Sequence, residues 1–314
     1  CDCACAFCSI PLMRGRHRSR PMESIVDEAR RLGQMGVREL VVISQDTTYY
    51  GMDLYRKPML ATLLRELAQV DGIRWIRIHY SYPTRITDEL IDVIATEPKV
   101  LHYLDLPLQH GSNRVLRIMN RPADAEGYLR LVRKLRERVP DICLRSTFIA
   151  GHPGETEEDF EMLLDFLRAC EFDHVGVFAY SQEEDTKSGK MEQIPEEVRA
   201  ARRDQAMAVQ QEIARKRNQL QVGRELEVLV EGRSPKGRGW YVGRCYRQSP
   251  GIDGVVLLQA PAHAQLRPGD MVQVRITGVQ DYDLLGRTTE PLTVDGVALE
   301  EDLSLPVFTP TRHQ

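Results

Sequence analysis

Residues 142–181 read ICLRSTFIAGHPGETEEDFEMLLDFLRACEFDHVGVFAYS, and this stretch decides the fold class. Ile142–Gly151 and His174–Ser181 are rich in β-branched and aromatic residues, as strands are. Between them, Glu157–Cys170 spaces its apolar residues as an amphipathic helix does. A strand, a helix of this length and a second strand form a right-handed βαβ unit with parallel strands. The alternation repeats toward the N-terminus. Strand-like runs lie at Glu39–Ser44, Trp75–Ser81 and Tyr103–Gln109. Helical stretches lie at Ser24–Met35, Met59–Gln69, Asp88–Thr96 and Ala125–Arg138. The expected architecture is α/β, a partial (β/α) barrel of TIM-like type with five parallel strands.

Toward the C-terminus the texture changes. Pro195 to Gln221 reads as one long charged helix with proline at its start. From Val222, short strand-like runs (ELEVLVEG, WYVGRCY, GVVLLQ, MVQVRITGVQ) alternate with Gly and Pro turns, the pattern of a small all-β barrel. The expected division is residues 1–221, the α/β core with its linking helix; 222–290, the small barrel; and 291–314, a loose tail.

The chain has 314 residues, 42% apolar, enough to bury a large core and a smaller one. A net charge of −4 excludes an overall cationic field for nucleic acid. No apolar run approaches a membrane span. The chain starts with Cys rather than Met, so a fragment of a longer protein is expected. Seven cysteines without a secretion signal point to the reducing cytoplasm.

Cys1, Cys5 and Cys8 occupy one short loop at CxxxCxxC spacing. Three thiolates at this spacing can hold three irons of a 4Fe-4S cubane and leave the fourth iron without a protein ligand. Phe7 would shield such a cluster from solvent. A zinc site would need Cys3 or His17 as a further ligand, and a disulfide framework would need an oxidising compartment. Cys3 is either a bystander or a ligand in a slipped register. Cys143, Cys170 and Cys245 stand alone among apolar neighbours, as small core residues do.

In parallel α/β barrels the carboxyl ends of the strands carry the site. Here those ends read Ser44-Gln45-Asp46, His79-Tyr80-Ser81-Tyr82-Pro83, Pro107-Leu108-Gln109-His110-Gly111-Ser112, Gly151-His152-Pro153-Gly154-Glu155 and Tyr180-Ser181. One polar strand end is ordinarily a turn or a helix cap; five facing a cysteine loop are a candidate site.

CxxxCxxC followed by this partial barrel resembles the radical S-adenosylmethionine (SAM) superfamily. The strings SQDTTYYG, HYSYPTRITDEL, DLPLQHGSNRVLRIMNR, STFIAGHPGETEEDF and VGVFAYSQEEDT resemble its methylthiotransferase branch, most of all the RimO type. Residues 222–290 resemble the TRAM barrel that ends that branch, closing on Asp281-Tyr282-Asp283-Leu284-Leu285-Gly286. The resemblance implies a radical SAM barrel in which Cys1, Cys5 and Cys8 hold the cluster and its open iron chelates SAM. One electron then cleaves SAM to a 5′-deoxyadenosyl radical. It places Gln45 and Asp46 at the SAM amino group. Arg145, Gly151 and Glu155 flank SAM, Phe178 and Tyr180 pack on the adenine, and Gln109 is a further cofactor contact. The implied reaction adds a methylthio group to an aspartate β-carbon of ribosomal protein S-twelve, on or off the small ribosomal subunit. A flavodoxin- or ferredoxin-like reductant supplies electrons, and a second 4Fe-4S cluster sits in an N-terminal domain. The first alternative is the same chemistry on isopentenyl-adenosine of tRNA; the second is a non-catalytic remnant that docks on ribosomes. Nine Lys/Arg against eight Asp/Glu in residues 222–290 leave the barrel little positive charge for tracking phosphates, so RNA contact is expected to be weak. The basic run Arg14–Arg20 is expected to be a solvated loop.

Overall fold

Five strands, each followed by a helix, form one parallel sheet in sequence order. The computed structural model of the chain describes residues 1–122, 124–261, 264–289 and 294. The sheet strands are β1 (Glu39–Val42), β2 (Trp75–Ile78), β3 (Val100–Gln109), β4 (Cys143–Ala150) and β5 (His174–Ala179), in the order β1-β2-β3-β4-β5. Each lies where the β-rich runs predict, with ends shifted by a few residues. The helices are α1 (Ile10–Arg14), α2 (Met22–Gln34), α3 (Leu60–Ala68), α4 (Asp88–Thr96), α5 (Asn113–Ile118), α6 (Ala125–Arg138), α7 (Glu157–Cys170) and α8 (Glu196–Gln219). The helix bounds expected for 88–96, 125–138 and 157–170 are met at both ends. Each begins behind a side-chain cap: Thr87 accepts from the Leu90 amide, Asp124 from that of Gly127, and Thr156 from that of Asp159 in a reciprocal capping box. Neither short helix, α1 nor α5, was expected; five or six residues carry too few turns for a periodic signal.

The two faces of the sheet differ because side chains alternate along a strand. Ile76, Ile78, Leu104, Leu106, Leu108, Leu144, Phe148, Ala150 and Val177 join helix residues such as Leu64, Ile91, Leu135, Leu163 and Leu167 in one apolar core. The alternate positions carry charge and aromatic rings instead. Arg77 on β2 pairs with Glu39 on β1 at 2.7 Å and lies 4.5 Å over the Tyr103 ring of β3. Arg145 on β4 pairs with Asp105 on β3 at 2.9 Å. Phe178 on β5 is 58% exposed. A sheet with an apolar helix side and a polar inner side presents functional groups on the inner side and at its carboxyl ends.

The chain divides into two compact units, residues 1–213 and 214–314. The second contains β6 (Glu225–Arg233), β7 (Trp240–Arg244), β8 (Val256–Gln259), β9 (Met271–Gln280) and β10 (Asp283–Thr288), closed in the order β10-β8-β7-β6-β9. Four of these strands coincide with the strand-like runs between the Gly and Pro turns; β10, from the Asp281–Gly286 segment, completes the closure by pairing with both β9 and β8. Val228, Val230, Val256, Leu258, Val272, Val274, Ile276 and Leu284 fill the barrel. The loose tail expected over 291–314 lies outside the described residues except Val294, which is buried in the barrel core. Among the described residues, no helix is long and apolar enough to cross a membrane.

Candidate active site

The cysteine loop is tied by backbone and side-chain bonds to the segments that follow α5 and β5. The Ala6 amide donates to the Met119 carbonyl at 2.9 Å, Asn120 Nδ2 to the Ala4 carbonyl at 2.6 Å, and the Ser188 amide to the Ala6 carbonyl at 2.9 Å. Cys1, Cys3, Cys5 and Cys8 are free thiols, each half-buried. Beyond β1, the Asp46 carboxylate is ion-paired to Arg85, which also donates to Cys3 Sγ at 3.5 Å. Beyond β2, Tyr82 lies under the Arg85 guanidinium at 4.8 Å and the Arg121 guanidinium at 4.4 Å. Arg121 reaches from the Pro107 carbonyl of β3 (2.6 Å) to Cys5 Sγ (3.6 Å). Beyond β4, the His152 ring meets Phe7 edge-on at 6.3 Å, and it meets Tyr180, beyond β5, at 5.2 Å. All five strand ends therefore reach the loop directly or through one residue.

Three of these ends turn through positive φ: Tyr80 at 53°, Gln109 at 77° and Gly151 at 73°. Non-glycine residues held there cost about 1–3 kcal/mol, and such residues cluster at ligand sites. Gln109 is half-buried, whereas Gln45 is exposed. Asp46 is 2% exposed and engaged by both Arg85 and the Thr48 hydroxyl. Glu155 holds the turn after β4 rather than pointing outward. Its carboxylate accepts from the Gly151 amide at 2.9 Å and from Arg202 Nη1 at 2.9 Å, and it meets His110 Nε2 at 3.1 Å. Arg145 is occupied by Asp105 and lies within the sheet. Phe178 offers an open ring, and Tyr180 is buried beside His152.

Burial governs the electrostatics. It pushes the Cys5 thiol up, opposed by Arg121. It drives His152 down to about 4, so this imidazole is neutral near pH 7, its nitrogens facing the Pro153 carbonyl (2.9 Å) and the Ser188 hydroxyl (2.8 Å). Cys143, Cys170 and Cys245 are fully buried, as expected of core residues, and burial pushes Cys170 up to about 12.

Among the described residues, no three His, Cys, Asp or Glu side chains converge on one point as the ligands of a single ion do. His17, the alternative zinc ligand, packs on Tyr49 at 5.1 Å instead. A cubane makes a different demand: separate sulfurs, each at its own corner. The half-buried thiols of one anchored loop, with guanidinium groups at Cys3 and Cys5, suit an anionic iron–sulfur cluster. Tyr82 belongs to the polar strand end expected after β2, whereas Arg85, Asn120 and Arg121 are not singled out by the sequence. Arg85 and Arg121 stand in the quoted strings HYSYPTRITDEL and DLPLQHGSNRVLRIMNR, but a sequence does not show that an arginine is buried.

With this geometry in place, the class is clear: the chain belongs to the radical SAM superfamily, whose sequence profile matches residues 1–167, and residues 222–289 match the TRAM domain. The chain is 89% identical over all 314 residues to the ribosomal protein uS12 methylthiotransferase RimO of Symbiobacterium thermophilum. It is 52% identical, over 92% of its length, to that of Pelotomaculum thermopropionicum. It spans about 65% of the length of each. Among solved structures, the radical SAM methyltransferase TsrM of Kitasatospora setae matches with a TM-score of 0.50 at 21% identity, over 60% of this chain and 37% of that one. The coproporphyrinogen III oxidase HemN of Escherichia coli matches with a TM-score of 0.50 at 20% identity, over 68% of this chain and 50% of that one. These two likenesses concern the fold alone. The superfamily implies a 4Fe-4S cluster and SAM as cofactors.

Proposed function

We propose that this chain is the catalytic part of a methylthiotransferase that modifies an aspartate β-carbon of ribosomal protein S-twelve. The observation that carries the proposal is the cysteine loop seated across five parallel strand ends; the near-identity to a relative of that name supports the substrate. Cys1, Cys5 and Cys8 would hold the cluster. Gln45, Asp46, Gln109, Arg145, Gly151, Glu155, Phe178 and Tyr180 form the proposed SAM environment, in unequal roles. Phe178, with its exposed ring, would stack on the adenine. Gln109 would contribute from the positive-φ turn that ends β3. Asp46 acts through Arg85, and Glu155 fixes the Gly151 amide. A bound cluster supplies the electron that reductively cleaves SAM. The chain's own share is to bind and orient SAM, to exclude water with Phe7 and Tyr180, and to keep His152 neutral beside the loop.

In this reading a second 4Fe-4S cluster belongs to an N-terminal methylthiotransferase domain, a flavodoxin- or ferredoxin-like protein is the reductant, the setting is cytoplasmic, and the TRAM barrel contacts the small ribosomal subunit weakly. The test is low-temperature EPR of the anaerobically reconstituted, dithionite-reduced chain with and without SAM, together with its iron content. The expected result is about four irons per chain, as one cubane requires, and a reduced-cluster signal that shifts when SAM is added. A signal indifferent to SAM would overturn the proposal.

A further inference from the structure

We infer that Arg121 is the built-in counter-charge of the cluster held by the cysteine loop and sets how readily that cluster accepts an electron. The inference rests on the cluster reading above. Arg121 is 6% exposed. Arg77, Arg202 and Arg244, also buried, face Glu39, Glu155 and Glu231, and the half-buried Arg145 faces Asp105. Arg121 has no carboxylate partner among the described residues. Its guanidinium donates to the Pro107 carbonyl and to Cys5 Sγ and lies on the Tyr82 ring, while its buried Nε has no hydrogen-bond partner. Arg85, by contrast, is already balanced by Asp46.

A buried cation without an anion is costly unless negative charge is brought to it. Three thiolates outweigh the charge of a resting 4Fe-4S core, so a loaded loop is anionic, and reduction adds one more negative charge beside Arg121 Nη1. The cation therefore favours the reduced state. Net charge and hydrogen bonds to the sulfurs are the means by which a protein tunes such a centre.

The test compares Arg121→Lys with Arg121→Gln in the reconstituted chain. Both replacements are flexible and can donate to the Pro107 carbonyl; only lysine keeps the charge. An EPR-monitored redox titration should find the lysine variant near the parent. In the glutamine variant the one-electron equilibrium should shift about tenfold toward the oxidised form, about 59 mV more negative. The cluster-free glutamine variant should melt no lower than the cluster-free parent, because an uncompensated buried charge has gone. Loss of iron in the glutamine variant alone, with cluster-free melting intact, would support the same role. Equal midpoints in the two variants, or failure of both to fold, would assign Arg121 to packing and overturn the inference. A parent that retains no iron would remove the cluster reading and the inference together; a parent that loads while the midpoints coincide would remove the inference alone.

Discussion

At Gly151 the backbone turns through φ 73°, and a Cβ there would stand 2.4 Å from Arg199 Cγ. Its amide is also bound by both Glu155 oxygens. Conformation, space and hydrogen bonding thus fall on one residue between β4 and α7. Gly151→Ala should lower stability by about 1–3 kcal/mol, read as a lower urea midpoint at unchanged slope, and should weaken SAM binding because the turn cannot keep its shape. A glycine ahead of His-Pro-Gly-Glu is legible in sequence as a turn. The work of Glu155 is not, because the same string serves whether the carboxylate faces a ligand or is buried against Arg202. Arg121 was less legible still: in the sequence it is one basic residue among several, and only packing shows that it lacks an acid.

The turn after β4, with its flanking strand and helix, also carries a pH response. Burial holds His152 at about 4 against an ordinary value of 6.5. The unfolded chain therefore takes up this proton before the folded chain does. Stability from this residue is complete above pH 6.5 and declines as pH falls toward 4, by up to about 3 kcal/mol. Urea unfolding across this window should show the decline, and His152→Gln should flatten it. Burial would raise Asp159, but hydrogen bonds from Arg114, Ser112 and Thr156 hold it well below the usual carboxylate range. Its contribution is lost only at lower pH. Elements were legible where chemistry marked their ends, as at Thr87, Asp124 and Thr156. They were not where a short helix such as α5 forms after a strand end, capped by Ser112.

On the scale of the whole molecule, the parallel sheet and the barrel were both legible, because each repeats its pattern several times. The inner polar face of the sheet was not: Arg77, Asp105 and Arg145 interrupt apolar strands and find partners across neighbouring ones. Calorimetry of the cluster-free and reconstituted chain should show loading raise the transition of residues 1–213, since a ligand stabilises the fold that binds it. The transition of the barrel unit should stay in place. A shift of the barrel transition alone would contradict a site built in the first unit.

Closure of the barrel has a consequence for behaviour at high concentration. With β10 paired to both β8 and β9, the strands of the second unit have, among the described residues, no side left to template pairing with another molecule. The parallel sheet differs: among the described residues β1 pairs only with β2, and β5 only with β4. Self-association of partly opened chains by strand addition would therefore start at these two rims of the sheet, and shielding β1 or β5 would do more for solubility than any change to the barrel.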